Sequence, residues 1–184
     1  MQRRSSVFPA LIISTLLLTA GISFQSPFAA SAMAAPQTPM VINSCISPTN
    51  LALQRSATQS STLTFAGIVA DASRAVDGNT DGVFLHGSVS HTFIDTHGWW
   101  QVDLDTRRSI ENIEVYNRTD CCADQLSNYY VFVSDRCFES PDLSATINQP
   151  GVSSYFQPEQ AGHPTTITVN RTGRYVRIQA SGTN

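Results

Sequence analysis

The chain has 184 residues, 41% of them hydrophobic, and a formal net charge of −3, and these values exclude several classes of protein. This apolar content suits one globular domain with a core, and it excludes a collagen, a coiled coil and a fully disordered chain. Acidic residues outnumber basic ones, so the chain has no net positive charge with which to bind nucleic acid or another polyanion. Every basic residue is an arginine, so a lysine Schiff base and a phosphate-loop lysine are excluded as well.

The first 34 residues have the pattern of a secretory signal peptide. Two arginines precede an apolar run from Val7 to Ile22, and small residues follow as far as Ala35. The run is shorter and more interrupted than the roughly 20 apolar residues that cross a membrane. We therefore predict export to an extracellular or periplasmic location, with the following division: signal peptide 1–34, linker or extended arm 35–49, and folded domain 50–184.

The remainder of the chain reads as short β-strands separated by turns. No segment longer than a turn or two keeps the apolar spacing of a helix, whereas several runs alternate or are rich in β-branched and aromatic residues. Glycine, proline, asparagine and aspartate are concentrated between these runs. The pattern predicts an all-β fold, a β-sandwich or jelly roll. The clearest predicted strands are Trp99–Leu104, Ile110–Asn117, Tyr129–Ser134, Thr165–Asn170 and Arg174–Ala180.

Four cysteines in an exported chain indicate disulfide bonding, and they allow three connectivities. Cys121 and Cys122 are adjacent, and a bond between neighbours adds little stability by loop closure. Such a bond would be a surface feature. The alternative is that each of the two pairs with Cys45 or Cys137.

The hexapeptide Asp77–Gly82 has the spacing of a calcium-binding loop. Oxygen-bearing side chains stand at alternate positions, and a glycine follows that permits a sharp turn. It is not an EF-hand. Counted from Asp77, the twelfth position of the loop is Ser88, whereas an EF-hand has a glutamate there, and no flanking helices are apparent. A plain turn rich in aspartate and asparagine is the equal alternative.

A second polar group consists of His91, Arg118 and Asp120, with 26 residues between the histidine and the arginine. Residues two apart on a strand face the same side, so Asp120 can hold the guanidinium of Arg118 in one orientation. Two donors and a carboxylate in this arrangement suit a ligand with vicinal hydroxyls. The alternatives are a surface salt bridge and a lone loop histidine.

The order and spacing of these residues resemble the F-type lectins, or fucolectins, which are fucose-binding relatives of the discoidin and factor V/VIII C-type domains. That family's motif is a histidine, 26 residues, Arg-x-Asp and a vicinal cysteine pair, as in His91 followed by Arg118–Cys122. The likeness extends from about Asn50 to Gln179. It includes the segments Ala75–Asn79, His86–Ser88 and Trp99–Leu104.

The resemblance implies a carbohydrate site whose members have separate roles. His91 and Arg118 would bind the sugar directly, Asp120 would orient the arginine, and bonded Cys121 and Cys122 would contact the sugar's apolar side. Phe84 is a candidate wall residue, with a core phenylalanine as the alternative. Gln125 stands where the family has a third basic residue, so fucose affinity or selectivity should differ, since a neutral hydrogen bond is weaker than a charge-assisted one.

The resemblance also implies a structural calcium ion. Asp77 would contribute a side-chain oxygen, and Arg74, Asn79 and Ser88 would contribute carbonyl oxygens. Family members continue into a last strand that bears an acidic calcium ligand, whereas this sequence stops at Asn184. The domain is therefore predicted to be C-terminally incomplete. Either the sequence is a fragment of a longer protein, or the fold has an incomplete metal site and an open sheet edge that would favour aggregation or dimerisation.

The predicted function is that of a secreted, non-enzymatic lectin that recognises fucose or fucosylated glycans. One alternative is a discoidin-like adhesion or phospholipid-binding module. Another is a carbohydrate-binding module split from a larger glycan-active enzyme. A catalytic triad that uses His91 lacks support, because no nucleophile elbow or metal-ligand pattern accompanies it. Single lectin sites are usually weak, so useful avidity would require a homo-oligomer or tandem copies of the domain.

Overall fold

The computed structural model describes residues 7–8, 10–14 and 49–183, and most of its regular structure is β-strand. Three 3-10 turns and one short helix lie between the strands. The strands are β1 Val7–Phe8, β2 Ala10–Ser14, β3 Ser56–Gln59, β4 Thr64–Phe65, β5 Ile68–Val69, β6 Ser90–His91, β7 Trp99–Tyr116, β8 Tyr129–Ser134, β9 Val152–Gln157 and β10 Thr165–Ala180. The 3-10 turns are Ala72–Ala75, Phe84–His86 and Ala123–Gln125, and the helix α1 is Leu143–Asn148.

The strands pair in antiparallel fashion, and the main sheet has the order β2-β7-β10-β8-β9. Strand β3 pairs with the first half of β7, from Trp100 to Asp103, and β2 pairs with its second half, from Asn112 to Tyr116. Strand β10 pairs with both halves of β7, so only the other side of β7 changes its neighbour, from β3 to β2. The predicted all-β class is confirmed.

Strands β7 and β10 are each twice as long as predicted, and this corrects the strand assignment. Residues 99–104 and 110–117 were expected as two strands, and so were 165–170 and 174–180, but each pair is one continuous strand. Register shifts at Thr168/Arg171 and Gly173/Tyr175 explain the difference. A bulge bends a strand while the pairing continues on either side of it. The predicted strand Tyr129–Ser134 is confirmed without change.

The core lies between the layers and consists of alternate residues of the long strands. Trp100, Val102 and Leu104 are fully buried, and residues of β8 and β10 meet them. The indole nitrogen of Trp100 donates to the carbonyl of Ala72 at 2.9 Å, so its one polar atom is satisfied. Trp99 faces the other side of the sheet and is only half-buried. Successive side chains of a strand face opposite sides of the sheet, so the sequence predicts one of these adjacent tryptophans in the core and the other on the surface.

Residues 135–149, which contain α1, cross the outer face of β10 and are held there by a buried arginine. The guanidinium of Arg177 donates to Gln101 Oε1, the Ser140 carbonyl and the Thr146 hydroxyl at 2.7 to 3.1 Å. It lies between the rings of Trp99 and Phe138, at 4.9 and 4.3 Å. Burial lowers the pKa of Arg177 to about 10.

The sandwich has two ends, which strand β8 separates. The upper end is formed by the loops after β7 and before β8, residues 117–128, together with residues 82–91. The lower end is formed by the bend of β7 near residues 104–109, by residues 134–136 and 150–151, and by the bend of β10 at residues 171–174. With about 3.3 Å per residue, the six residues of β8 place these ends roughly 20 Å apart.

Several predictions concern the terminal segments. Strands β1 and β2 lie within the segment predicted to be a signal peptide, and they pair with β6 and β7 of the predicted domain. Cys45 and nearly all of the predicted linker lie outside the described residues, so the pairing of Cys45 stays open. Among the described residues, no helix is long and apolar enough to cross a membrane.

Candidate functional site

The centre of the upper end is an ion pair between Arg118 and Asp120, just beyond β7. The Nε and Nη2 groups of Arg118 donate to Oδ1 and Oδ2 of Asp120 at 2.5 and 3.0 Å. This two-point contact is the one that the Arg-x-Asp spacing favours. The Arg118 guanidinium holds the pKa of Asp120 below its usual value, so the carboxyl stays charged. The side chain of Arg118 is 13% exposed, and its Nη1 group takes no part in the pair.

The backbone fixes Asp120 from two further directions. Its Oδ1 accepts from the amide of Cys121 at 2.9 Å, and its Oδ2 accepts from the amide of Phe84 at 3.3 Å. Four hydrogen bonds therefore satisfy the carboxylate, and they leave little freedom to the guanidinium that it holds. Sequence analysis predicted the pair but not these amides.

Phe84 lies beneath this pair. Its ring is 2% exposed and packs in a small core with Ala70 and Val89. The guanidinium carbon of Arg118 lies 4.8 Å from the ring centroid, and the ring of His91 meets Phe84 edge-on at 5.8 Å. The packing favours a core phenylalanine over the wall residue that the resemblance suggested, because the ring is covered by Ala70, Val89 and the guanidinium of Arg118. Phe84 positions the two polar side chains above it.

His91 is buried and has a defined tautomer. Its Nδ1 contacts the Thr92 carbonyl at 2.6 Å, and since a carbonyl can only accept, Nδ1 carries the proton. Burial, together with the nearby charge of Arg118, lowers the pKa of His91 to about 4. In the neutral ring, Nε2 is a hydrogen-bond acceptor. The sequence-based description of His91 as a donor is therefore revised.

The burial of His91 predicts a pH-dependent stability. The unfolded histidine binds a proton below about pH 6.5, whereas the folded one remains neutral to about pH 4. The unfolded state thus holds more protons in this window, so the free energy of unfolding should fall by about 3 kcal/mol as the pH drops from 6.5 to 4. Urea titrations of wild type and His91→Gln check this, because the variant should lose that part of the pH dependence. His163→Gln, at an exposed histidine, should retain it.

The vicinal disulfide between Cys121 and Cys122 is present and exposed, as one of the two predicted alternatives requires. Cys122 has a φ of 58°, so the bonded pair occupies a tight turn that leads into the 3-10 turn Ala123–Gln125. Cys137 is exposed and has no disulfide partner in the described part of the chain. The disulfide lies directly after Asp120, and it adds a polarizable apolar surface beside a charged pair.

Gln125 ends the 3-10 turn and is half-buried. Its backbone amide donates to the Cys122 carbonyl at 3.1 Å. Its side-chain Oε1 is buried and accepts no hydrogen bond from the described residues. A buried amide oxygen without a partner is costly, so this side chain is suited to a donor from outside the chain.

The predicted calcium loop is formed by consecutive turns in which each acidic or amide side chain caps a backbone amide. Asp77 accepts from the amide of Asn79 at 2.7 Å, Asn79 from that of Asp81 at 3.0 Å, and Asp81 from that of Val83 at 2.9 Å. Asp81 also pairs with His86 Nδ1 at 2.6 Å, and this contact lowers the pKa of Asp81. The loop is therefore ordered by its own side chains.

Arg74 and Ser88 border this loop on its other side. The Arg74 guanidinium donates to the carbonyls of Val69 and Gly87, and the Ser88 hydroxyl donates to the carbonyl of Asp81. The described residues contain no group of three or more His, Cys, Asp or Glu side chains arranged to hold a metal. A site here would therefore depend on backbone oxygens.

Two residues that sequence analysis did not select connect the loops of the upper end. Asn117 is buried, and its side-chain amide donates to the carbonyls of Ala123 and Ala161, both at 2.8 Å. Gly82 accepts from the amide of Thr119, and a Cβ at this glycine would lie 2.8 Å from the Asn117 carbonyl oxygen. Only glycine permits this close approach, by which the Asp77–Gly82 loop supports the Arg118 loop.

Comparisons with known proteins give consistent matches over this region. A family model described as a NedA-like, galactose-binding domain of the F5/F8 type C group matches residues 74–178. Fucolectin-5 from Anguilla japonica is 30% identical over 132 residues, which cover 70% of this chain and 67% of that protein. Fucolectin-3 from the same species is 44% identical over 86 residues, or 46% of this chain and 47% of that protein. The chain thus spans about half the length of Fucolectin-3 and of other relatives that it matches.

Solved structures give similar results. A fucose binding module of Streptococcus pneumoniae is 30% identical, has a TM-score of 0.60, and corresponds to 72% of this chain and 84% of that chain. An F-lectin from the serum of Morone saxatilis is 32% identical, also with a TM-score of 0.60, and corresponds to 73% of this chain and 44% of that one. The lectin domain of lectinolysin, solved with Lewis B antigen, is 30% identical with a TM-score of 0.59 and covers 74% of this chain and 88% of that one. These matches confirm the predicted jelly roll.

Proposed function

We propose that this chain, which belongs to the F-type lectin (fucolectin) family, is a non-enzymatic lectin that binds fucosylated glycans at its upper end. The observation that carries the proposal is the fixed guanidinium of Arg118, held by Asp120 beside the exposed Cys121–Cys122 disulfide. Rigid charged donors next to an apolar surface match a sugar that has hydroxyls on one side and a methyl group on another.

Each group has a distinct task in this binding mode. The Nη1 group of Arg118 donates to sugar oxygens, and Nε2 of neutral His91 accepts from a hydroxyl. The disulfide contacts the methyl group of fucose, which has no 6-hydroxyl and so needs an apolar neighbour. Asp120 binds no sugar in this scheme and instead holds the arginine. The donors are ordered before the ligand arrives, which lowers the entropic cost of binding.

Gln125 is proposed to modify the selectivity of the site. Its Oε1 lacks a partner within the described chain and can accept from a sugar hydroxyl, whereas the arginine or lysine typical of the family can only donate. A neutral hydrogen bond contributes less than a charged one. Binding of free fucose should therefore be weaker than binding of a larger fucosylated glycan that makes additional contacts.

A structural calcium ion at the Asp77–Gly82 loop is part of the proposal. The side chain of Asp77 and the carbonyls of Arg74, Asn79 and Ser88 are all oxygen donors, which is the type that calcium prefers. They supply four of the six to eight oxygens that calcium takes, so waters or further carbonyls would complete the site. The ion would fix the loop that supports Arg118 through Gly82, and it would not touch the sugar.

One observation favours a second function, adhesion to phospholipid. The segment between β3 and β7 exposes four large apolar side chains, which are those of Phe65, Val69, Leu85 and Phe93. Phe65 is 61% exposed, and its ring lies 6.2 Å from that of Phe84, so this patch adjoins the proposed sugar site. Exposed apolar loops of this kind mark protein or membrane contacts.

A glycan-array screen tests the proposal and separates the two functions. We expect binding to fucosylated glycans that free L-fucose inhibits, and we expect it to weaken when calcium is removed. Neutral phospholipid vesicles without glycolipid serve as the second ligand. Vesicle binding that fucose leaves unchanged, together with silence on every fucosylated glycan from folded protein, would replace the lectin proposal with the adhesion function.

Export is proposed together with this function, since fucosylated glycans occur outside cells. The basic, apolar and small-residue segments of residues 1–34 support it. N-terminal sequencing of the protein recovered from the medium or periplasm should show a mature chain that begins near Ala35. An intact N-terminus in a purely cytosolic product would contradict export.

Gln125→Arg is predicted to strengthen the binding of fucose. The arginine would restore a charge-assisted hydrogen bond, which contributes roughly 1.5 to 3 kcal/mol against about 1 for a neutral one. The difference corresponds to about a 2- to 30-fold gain in affinity, measured by titration calorimetry with L-fucose. Gln125→Met, which matches the length of glutamine without its polar atoms, is the control and should bind no more tightly than wild type. Equal affinities of wild type and Gln125→Arg would contradict the assigned role.

A further inference from the structure

The lower end of the sandwich carries most of the arginines. Residues 35–184 contain nine arginines and fourteen acidic residues, so this part of the chain is acidic overall. Only three of the acidic residues, Asp103, Asp105 and Asp135, accompany the arginines at the lower end. Six of the nine arginines are found there: Arg55, Arg107, Arg108, Arg136, Arg171 and Arg174.

The acidic residues neutralise only part of this charge. Asp103 is held by Arg174 at 2.7 Å and Asp105 by Arg55 at 3.7 Å, so these pairs cancel. Asp135 lies 3.1 Å from Arg107 and 3.9 Å from Arg171, and it therefore offsets one of two guanidinium groups. Arg108 and Arg136 are exposed, and neither forms an ion pair with a described residue. The lower end retains a net charge of about +3.

A cavity of about 300 Å³ opens within this basic surface. It is lined by Ser134, Asp135, Arg136, Pro150 and Gly151. The Oδ1 atom of Asp135 is buried and accepts no hydrogen bond from the described residues, whereas Oδ2 contacts Arg107. A buried carboxylate oxygen without a donor is costly, and a ligand hydroxyl would satisfy it. The volume is at the small end of the range for ligand pockets and suits one sugar ring.

The cavity wall is rigid on the side of Arg171. That guanidinium donates to the carbonyls of Val133 and Gly151 and to the Ser153 hydroxyl, so it joins the ends of β8, β9 and β10. Arg107, in contrast, has a side chain that is 62% exposed. Fixed polar walls with exposed cations at the rim are suited to a ligand that carries both hydroxyls and anionic groups.

From this arrangement we propose that the lower end binds an acidic polysaccharide. Arg107 and Arg136 contact its carboxylate or sulfate groups, and Asp135 Oδ1 accepts from a hydroxyl of a ring in the cavity. A membrane fits less well, because none of the large exposed apolar side chains lies in residues 103–108, 134–136, 150–151 or 171–174. The net charge of the chain argued against polyanions, but it averages over a domain whose two ends differ in sign.

Surface plasmon resonance on immobilised polysaccharides tests this proposal. Heparin presents sulfates and uronates, polygalacturonate presents uronates alone, and dextran is the neutral control. We expect binding to one or both acidic chains, weakened by added salt because counterions compete, and no binding to dextran. Binding to heparin alone would show that the lower end requires sulfate groups. Binding to both polysaccharides would show that carboxylate groups are sufficient.

The variant Arg107→Gln/Arg136→Gln should lower this affinity about tenfold at 0.1 M salt and reduce its salt dependence. The matched control is Gln160→Glu/Thr166→Glu, which changes the net charge by the same amount at exposed positions away from the lower end. It should bind nearly as well as wild type. Equal loss in both variants, equal binding to anionic vesicles or duplex DNA, or no binding to either acidic chain would overturn the proposal. L-fucose should not compete, so failure here is distinct from failure of the lectin function.

Discussion

Arg118→Gln should weaken fucose binding by at least about 30-fold. The substitution removes the charged donor that faces the ligand, and it also leaves the carboxylate of Asp120 without the partner that makes two contacts with it. Removing one member of a hydrogen-bonded charge pair from a binding site costs about 2 to 5 kcal/mol, or roughly 30- to 5000-fold in affinity. The remaining carboxylate would also face the oxygens of the sugar.

Titration calorimetry with L-fucose measures this loss, and two further variants interpret it. Arg118→Lys keeps the charge but not the two-point geometry, so we expect an intermediate loss of about tenfold. Arg174→Gln makes the same substitution at an arginine of the lower end, where it pairs with Asp103, and it should leave fucose binding unchanged. Wild-type affinity in folded Arg118→Gln would remove Arg118 from the binding site.

Arg177→Met should lower the free energy of unfolding by about 3 to 5 kcal/mol. Arg177 is 2% exposed, and its guanidinium is the donor to Gln101, Ser140 and Thr146. Methionine fills much of the same space between the two aromatic rings but donates nothing. Each buried acceptor that loses its partner costs about 1 to 3 kcal/mol.

Urea denaturation measures this difference, and Arg174→Met is the matched control. Arg174 lies on the same strand and pairs with Asp103, but its side chain is more than a third exposed. An exposed ion pair contributes about 0 to 1 kcal/mol, so the control should unfold near the wild-type midpoint. Equal destabilisation by the two substitutions would contradict the role assigned to Arg177.

The strands were predictable where β-branched and aromatic residues are concentrated, as in Tyr129–Ser134, which has the predicted bounds. The length of β7 was not predictable, because residues 105–109 are polar and exposed and so resemble a loop. They continue β7 because β10 pairs with Arg108 and Ser109 on one side of a register shift and with Asp103 on the other. The 135–149 crossover was also missed, since a buried arginine anchors it and an isolated charge in a sequence suggests a surface position.

The candidate site was predictable where it depends on local spacing. The Arg118–Asp120 pair and the Cys121–Cys122 bond join residues that are close in sequence. The burial of Phe84 and the tautomer of His91 depend on contacts among distant segments, so the sequence left them open. The same is true of the lower end, where arginines from four separate segments meet only in the fold.

The length of β8 has a consequence for valency. If each end of the sandwich holds a ligand, the two ligands lie roughly 20 Å apart and face in opposite directions. A single flat surface could not occupy both sites of one copy at once. One molecule would instead cross-link two different surfaces, a fucosylated one above and an acidic one below, and it would do so as a monomer.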